Sequence, residues 1–179
     1  MISTLLYILG GVILLVAFLG LIAPKTYNIS RSIQINKPLP KVFEYIKFLK
    51  NQDQWSPWTK KDPEMIQTFT GVDGAVGAIS TWKGNKDVGE GEQELLKIIP
   101  NELVQSELRF IKPYKSTSNA YLKVEKVLPE VTTVEWGFSG DYKFPISIFM
   151  IFMNMDKAVG KDFEAGLADL KQLLEREHQ

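Results

Sequence analysis

The chain has 179 residues, with Lys+Arg 21 against Asp+Glu 21, no cysteine and a single histidine. Balanced charge argues against nucleic acid as a partner, and the missing cysteine excludes disulfides, thiol nucleophiles and thiolate metal sites. His178, beside the C-terminus, is a poor catalyst or ligand, so triad chemistry and nearly every transition-metal site fall away, and neither metal nor cofactor is expected.

Ile2 to Ala23 carries no charge and ends at Pro24 and Lys25. About 20 apolar residues cross a bilayer as a helix, and Tyr27 stands where an interfacial aromatic belongs. Residues 1–24 therefore read as a single-pass membrane anchor, with residues 2–23 in the bilayer. Competing readings are a cleaved signal peptide, which would want a basic start and a small-residue cleavage site, and a buried core helix, which would want more of a polar face than Ser3 and Thr4 offer. Lys25 and Arg31 follow the span with no acid before Glu44, so positive-inside counting tips the domain toward the cytoplasmic side.

Tyr27 to Asn36 alternates, as a strand with one apolar face does. Pro38 and Pro40 break it. Val42, Phe43, Ile46 and Leu49 then recur at helical spacing. Asn51 to Trp58 is polar and proline-broken and carries two tryptophans three apart, which either line the mouth of a pocket or cap one end of the core. The middle of the chain is strand and turn. Alternation places Val76, Ala78, Ser80 and Trp82 on one face, then Val104, Ser106, Leu108 and Phe110, then Ala120, Leu122 and Val124, then Val134, Trp136 and Phe138. Glu90, Glu92 and Glu94 face water. Six consecutive strands with short loops make an antiparallel meander, and the first strand brings the total to about seven.

From Pro145 to Glu177 the spacing predicts one long helix. Phe149, Phe152, Met153, Asp156, Val159, Phe163, Leu167, Leu170 and Leu174 follow in steps of three and four. At about 1.5 Å per residue it would run roughly 45–50 Å, longer than a small domain is wide, so a curved sheet must wrap it. Gly160 and Gly166 each cost such a helix about 1 kcal/mol relative to alanine, which points to close contact at those positions.

Three stretches carry a resemblance: RSIQINKPLPKVFEYIKFLKNQDQWSPW, FTGVDGAVGAISTWKGNKDVGEGEQELLKIIPNELV and MNMDKAVGKDFEAGLADLKQLLE. Their order of strand, proline-started helix, tryptophan segment, glycine-punctuated hairpins and closing helix resembles the START / polyketide-cyclase superfamily. That group is often labelled SRPBCC and includes the birch-pollen-allergen proteins; the last stretch resembles its membrane-anchored bacterial branch. The resemblance covers Tyr27 to Glu177. It implies an α+β helix-grip domain over residues 25–179, in which an antiparallel sheet of about seven strands is wrapped around a long C-terminal helix. It also implies a deep apolar cavity between sheet and helix. It does not imply a reaction, because the superfamily holds cyclases, lipid carriers, hormone receptors and proteins with no assigned ligand.

The inward positions then give a candidate lining: Trp82, Leu108, Phe110, Leu122, Trp136 and Phe138 from the sheet, Phe149, Phe152 and Met153 from the helix, and Trp55 and Trp58 near an opening. Each is also an ordinary core residue. Apolar walls with few polar groups suit a hydrophobic ligand; Ser80, Gln93 and Ser106 are the inward polar candidates. The sharpest acid–base candidate is Asp156, which interrupts the apolar stripe. If buried, its carboxyl would have a raised pKa; otherwise it sits at the stripe's edge. The expected function is membrane-anchored binding of a small hydrophobic or lipid-like molecule without catalysis. The rivals are an enzyme of cyclase or dehydratase type and an interaction module with a filled core.

Overall fold

The computed structural model describes residues 2–176. His178 and the expected helix end at Glu177 lie outside the described residues. A helix α1 (Ile2–Ile22) leads into strand β1 (Thr26–Ile35). Three short helices follow, α2 (Leu39–Ile46), α3 (Leu49–Gln52) and α4 (Pro57–Lys61). Then come β2 (Ile66–Thr70), β3 (Ile79–Lys83), β4 (Glu90–Ile99), β5 (Leu103–Lys112), β6 (Ser116–Leu128) and β7 (Val131–Asp141), and finally α5 (Ile146–Phe149) and α6 (Met155–Arg176).

Among the described residues the seven strands form one antiparallel sheet in the order β1-β7-β6-β5-β4-β3-β2. Hairpins build β2 to β7 in sequence, and β1 returns to pair with β7, Ile29 opposite Phe138. One row of inward side chains runs Ile29, Phe138, Ala120, Ser106 and Leu95 across five strands, all buried. The alternation in the sequence specifies this register, since a slip by one residue would turn every apolar set outward. On the outer face Arg109 bonds Glu92, Glu94 and Glu107, so the glutamates of β4 do face away from the core.

Helix α6 lies along the concave face and buries Gly160, Phe163, Gly166, Leu167, Leu170 and Leu174. At one end the core is closed by Val42, Phe43, Ile46, Leu49 and the fully buried Trp55, packed with Leu95, Leu122, Val134 and Leu170. Asp73 ties this region down by accepting from the backbone N–H groups of Leu49 (2.7 Å) and Lys50 (3.2 Å), two donors that the first turn of α3 would otherwise leave unmatched. Ion pairs from Lys60 to Asp169 and from Lys61 to Asp162 bind α4 to α6.

The expected single helix from Pro145 is two helices. Between them, Asn154 caps α6: its side-chain oxygen accepts the backbone N–H of Lys157 at 2.8 Å, the bond that an N-cap asparagine makes to the third residue of the helix. The local reward of that cap starts a new helix where apolar periodicity alone would continue the old one. Phe149, Phe152 and Met153 therefore do not enter the grip; they are 64%, 77% and 54% exposed.

Gly166 sets how close α6 comes to the sheet. A methyl group there would stand 2.8 Å from the Trp136 ring and 3.0 Å from Pro57. Overpacking of this kind costs roughly 1–3 kcal/mol, against at most about 1 kcal/mol gained by alanine over glycine in a helix. Gly166→Ala is therefore expected to lower the urea midpoint of the full chain, with Ala168→Gly on the exposed face as the comparison for helix propensity alone. A higher midpoint for Gly166→Ala would contradict the packing described.

Candidate functional site

The two ends of the grip differ. At the end remote from α1 the interior is filled by the core just described. A cleft of about 70 Å³ opens there beside Leu49, Phe69, Asp73 and Ala78, enough for about two water molecules at their liquid volume of about 30 Å³ each and too small for a lipid. Trp136 is the divider. Its ring stacks on Phe163 at 4.2 Å with 8° between planes, and Trp55 and Trp58 meet it edge-on at 4.9 and 5.6 Å.

At the end next to α1 a second apolar cluster forms around Ile29, Ala120, Phe138 and Phe163. Trp58, Leu108, Phe110, Met155, Val159 and Tyr27 pack on it without being fully covered. The strands explain how these groups meet. Phe110 lies opposite Gly91, and Gly91 lies opposite Trp82. A side chain at Gly91 would stand 2.5 Å from the Trp82 ring, so the missing Cβ gives that ring its place beside Phe110, with ring centroids 5.8 Å apart. Gly140 does the same for Tyr27, whose hydroxyl would lie 2.4 Å from a Cβ there.

Polar side chains near this cluster are few. The Tyr27 hydroxyl and the buried Ser118 hydroxyl share a 2.6 Å hydrogen bond. Burial raises the Tyr27 phenol above its ordinary value, the Ser118 bond lowers it, and Asp141 raises it further. Gln93 donates to Ser106 at 2.9 Å, and Ser80 is buried. The Trp55 indole N–H is the one buried side-chain donor without an acceptor among the described residues, a state that costs roughly 1–3 kcal/mol.

The structure thus brings together Trp58, Trp82, Leu108, Phe110, Trp136 and Phe138 of the expected lining. It places Trp55 and Leu122 in the closed core and Phe149, Phe152 and Met153 on the surface. Of the two readings of the tryptophan pair, capping describes Trp55, while Trp58 borders the less covered end. Tyr27, Met155 and Val159 belong to the cluster, and Ser118 bonds to Tyr27 beside it; none was named for the lining, though Val159 lay on the expected apolar stripe. Alternation offered a signal for Tyr27 and Ser118, which are two residues before the inward Ile29 and Ala120.

Asp156 is not a buried acid. Its side chain is 61% exposed and pairs with Arg31, whose nitrogens lie 3.0 and 3.1 Å from its two carboxylate oxygens. Arg31 also donates to Glu164 at 2.7 Å. The guanidinium lies against Gly160, where a Cβ would be 2.1 Å from it. Arg31 holds the Asp156 carboxyl below its ordinary value, the opposite of the raised pKa that burial would give. A carboxyl that is raised is Asp53: burial raises it, the Gln67 bond lowers it, and Asp73 raises it again. Gln67 donates to Asp53 at 2.8 Å and sits opposite Trp82.

No family profile and no curated protein matches the chain. Solved structures do. A protein from Nitrosospira multiformis matches at TM-score 0.58 and 18% identity, over 82% of this chain and 94% of its own. A protein from Thermobifida fusca matches at 0.60 and 17%, over 85% and 95%. Norcoclaurine synthase from Thalictrum flavum, solved with dopamine and hydroxybenzaldehyde, matches at 0.61 and 11%, over 86% and 88%.

The Arg31 pair makes a checkable prediction. Because the folded pKa of Asp156 is depressed, its stabilising contribution is present above the ordinary carboxylate value and is lost as pH falls through the depressed one. An NMR titration of the full chain should place Asp156 below the ordinary range, and Arg31→Gln should return it there. An Asp156 that titrates normally with Arg31 in place would contradict the pairing. At identities this low, likeness establishes the fold alone, and with the topology above it gives a helix-grip fold of the birch-pollen-allergen type.

Proposed function

We propose that this chain is a membrane-anchored domain that binds a small hydrophobic or lipid-like molecule at the α1 end of the grip. The observation that carries the reading is the partly covered cluster of Trp58, Leu108, Phe110, Met155 and Val159, with the Trp82 ring edge-on to Phe110. Large apolar side chains that gather at one end and stay only partly covered lose less water than a packed core would, and an apolar ligand completes their burial. Norcoclaurine synthase supports the reading by its fold and its bound aromatic compounds.

The anchor reading rests on α1, 21 residues with a mean hydropathy of 2.8 over its most apolar stretch and no buried residue. At 1.5 Å per residue it is about 32 Å long, close to the thickness of a hydrocarbon core. An uncovered helix of that composition is stable in lipid and not in water. Lipophilic molecules partition into the same bilayer, which places the ligand pool beside the site.

Asp156, engaged by Arg31, gives acid–base chemistry no support, and the enzyme reading rests on the fold shared with norcoclaurine synthase. The filled-core module is favoured by a separate observation, the Trp136–Phe163 stack with Trp55 sealed behind it.

Native mass spectrometry of the full chain, released from detergent after purification, separates these readings. An adduct of small apolar mass is expected, and Leu108→Trp should abolish it while the circular dichroism spectrum is retained. A bare mass, with no thermal stabilisation by a panel of lipophilic compounds, would reject ligand binding in favour of the packed module.

A further inference from the structure

We propose that the segment from Phe144 to Met153 lies in the membrane interface as a second attachment beside α1, holding the less covered end of the grip against lipid headgroups. This rests on the reading of α1 as a membrane span.

Four large apolar side chains of this segment face outward: Phe144 (66% exposed), Phe149 (64%), Phe152 (77%) and Met153 (54%). Singly, exposed apolar residues need no explanation. Four within ten residues form a patch of the kind that marks a protein or membrane contact. Its position selects the membrane. The Phe144 ring approaches the last turn of α1, lying 3.9 Å from where a Cβ on Gly20 would be. Tyr142 donates its backbone N–H to the Lys25 carbonyl at 2.8 Å, and Lys25 Nζ reaches back to the Gly20 carbonyl at 2.6 Å. The patch therefore sits at the level where α1 leaves the apolar layer.

The sheet register brings a second apolar group to the same end. Ser118 and Tyr27 both pair with Gly140, so the β5–β6 turn stands beside the exit of α1, carrying Tyr114 (69% exposed), with Ile111 (49%) at the end of β5 just before it. Lys25, Lys115, Lys143 and Lys157 flank these residues. Aromatic side chains with lysines beside them are the composition that the headgroup layer favours, the rings at its apolar boundary and the ammonium groups among phosphates. A second copy of this chain would cover apolar area equally well, but would not account for the alignment with the end of α1.

The absence of cysteine makes the test direct. Single variants Phe149→Cys, Phe152→Cys, Val12→Cys and Leu128→Cys of the full chain carry an environment-sensitive fluorophore in vesicles of phosphatidylcholine and phosphatidylglycerol. Leu128, at the β6–β7 turn, marks the opposite end of the sheet. Lipids with a quencher near the headgroup should remove most of the emission at positions 149 and 152 and leave position 128 unchanged. Quenchers near the bilayer centre should act on position 12. Quenching at 12 without quenching at 149 and 152 would overturn the interfacial attachment and leave the anchor standing; no quenching at any position would overturn both. Protection of 149 and 152 that is insensitive to lipid quenchers but lost on dilution among vesicles would identify a second copy as the occupant and also overturn the proposal.

Discussion

The stack of Trp136 on Phe163 is the contact on which the rest of the arrangement depends. It joins the middle of β7 to the middle of α6, and it forms because Gly166 lets the helix approach the indole. Stacked aromatic pairs contribute about 0.5–1.5 kcal/mol beyond their buried area. The larger consequence is geometric. With Trp55 and Trp58 meeting the same ring edge-on, four aromatic groups form a wall across the grip. On one side lies the filled core; on the other, an aromatic-lined end with partial cover.

A second set of contacts fixes the helix around that wall. Arg31 draws the first half of α6 toward β1 through Asp156 and Glu164, with Gly160 leaving space for the guanidinium. Lys60 and Lys61 hold the other flank. Exposed pairs of this type are individually worth little, so they serve to set the register of α6 on the sheet, while burial of Phe163, Leu167, Leu170 and Leu174 supplies the stability.

Much of this was legible in the sequence, and the failures have physical causes. The inward faces of β5, β6 and β7 follow from period-two alternation, which has one solution once a core side is chosen. The stripe from Phe163 to Leu174 follows from helical spacing in the same way. Phe149, Phe152 and Met153 were misplaced because periodicity shows that a surface is apolar, not what covers it. The break before α6 was marked only by Asn154, a single capping residue inside an apolar run. Asp156 looked like an acid in the stripe because its partner, Arg31, is 125 residues away in sequence and stands on an inward row of β1 where alternation leads one to expect an aliphatic side chain. The helix-grip likeness fixes the frame, but the occupant of a grip depends on individual rings and glycines that a fold does not specify.

The most direct test of a grip with one closed and one receptive end uses the ε-methyl of Met155, which packs on the cluster beside Phe138 and Phe163. Methyl NMR of the full chain in detergent, titrated with a small aromatic probe such as naphthalene, should show a saturable ring-current shift of Met155 that disappears in Leu108→Trp. No saturable shift at Met155, or one that survives the filling of the site, would contradict a binding end and leave the aromatic wall as the edge of a fully packed core.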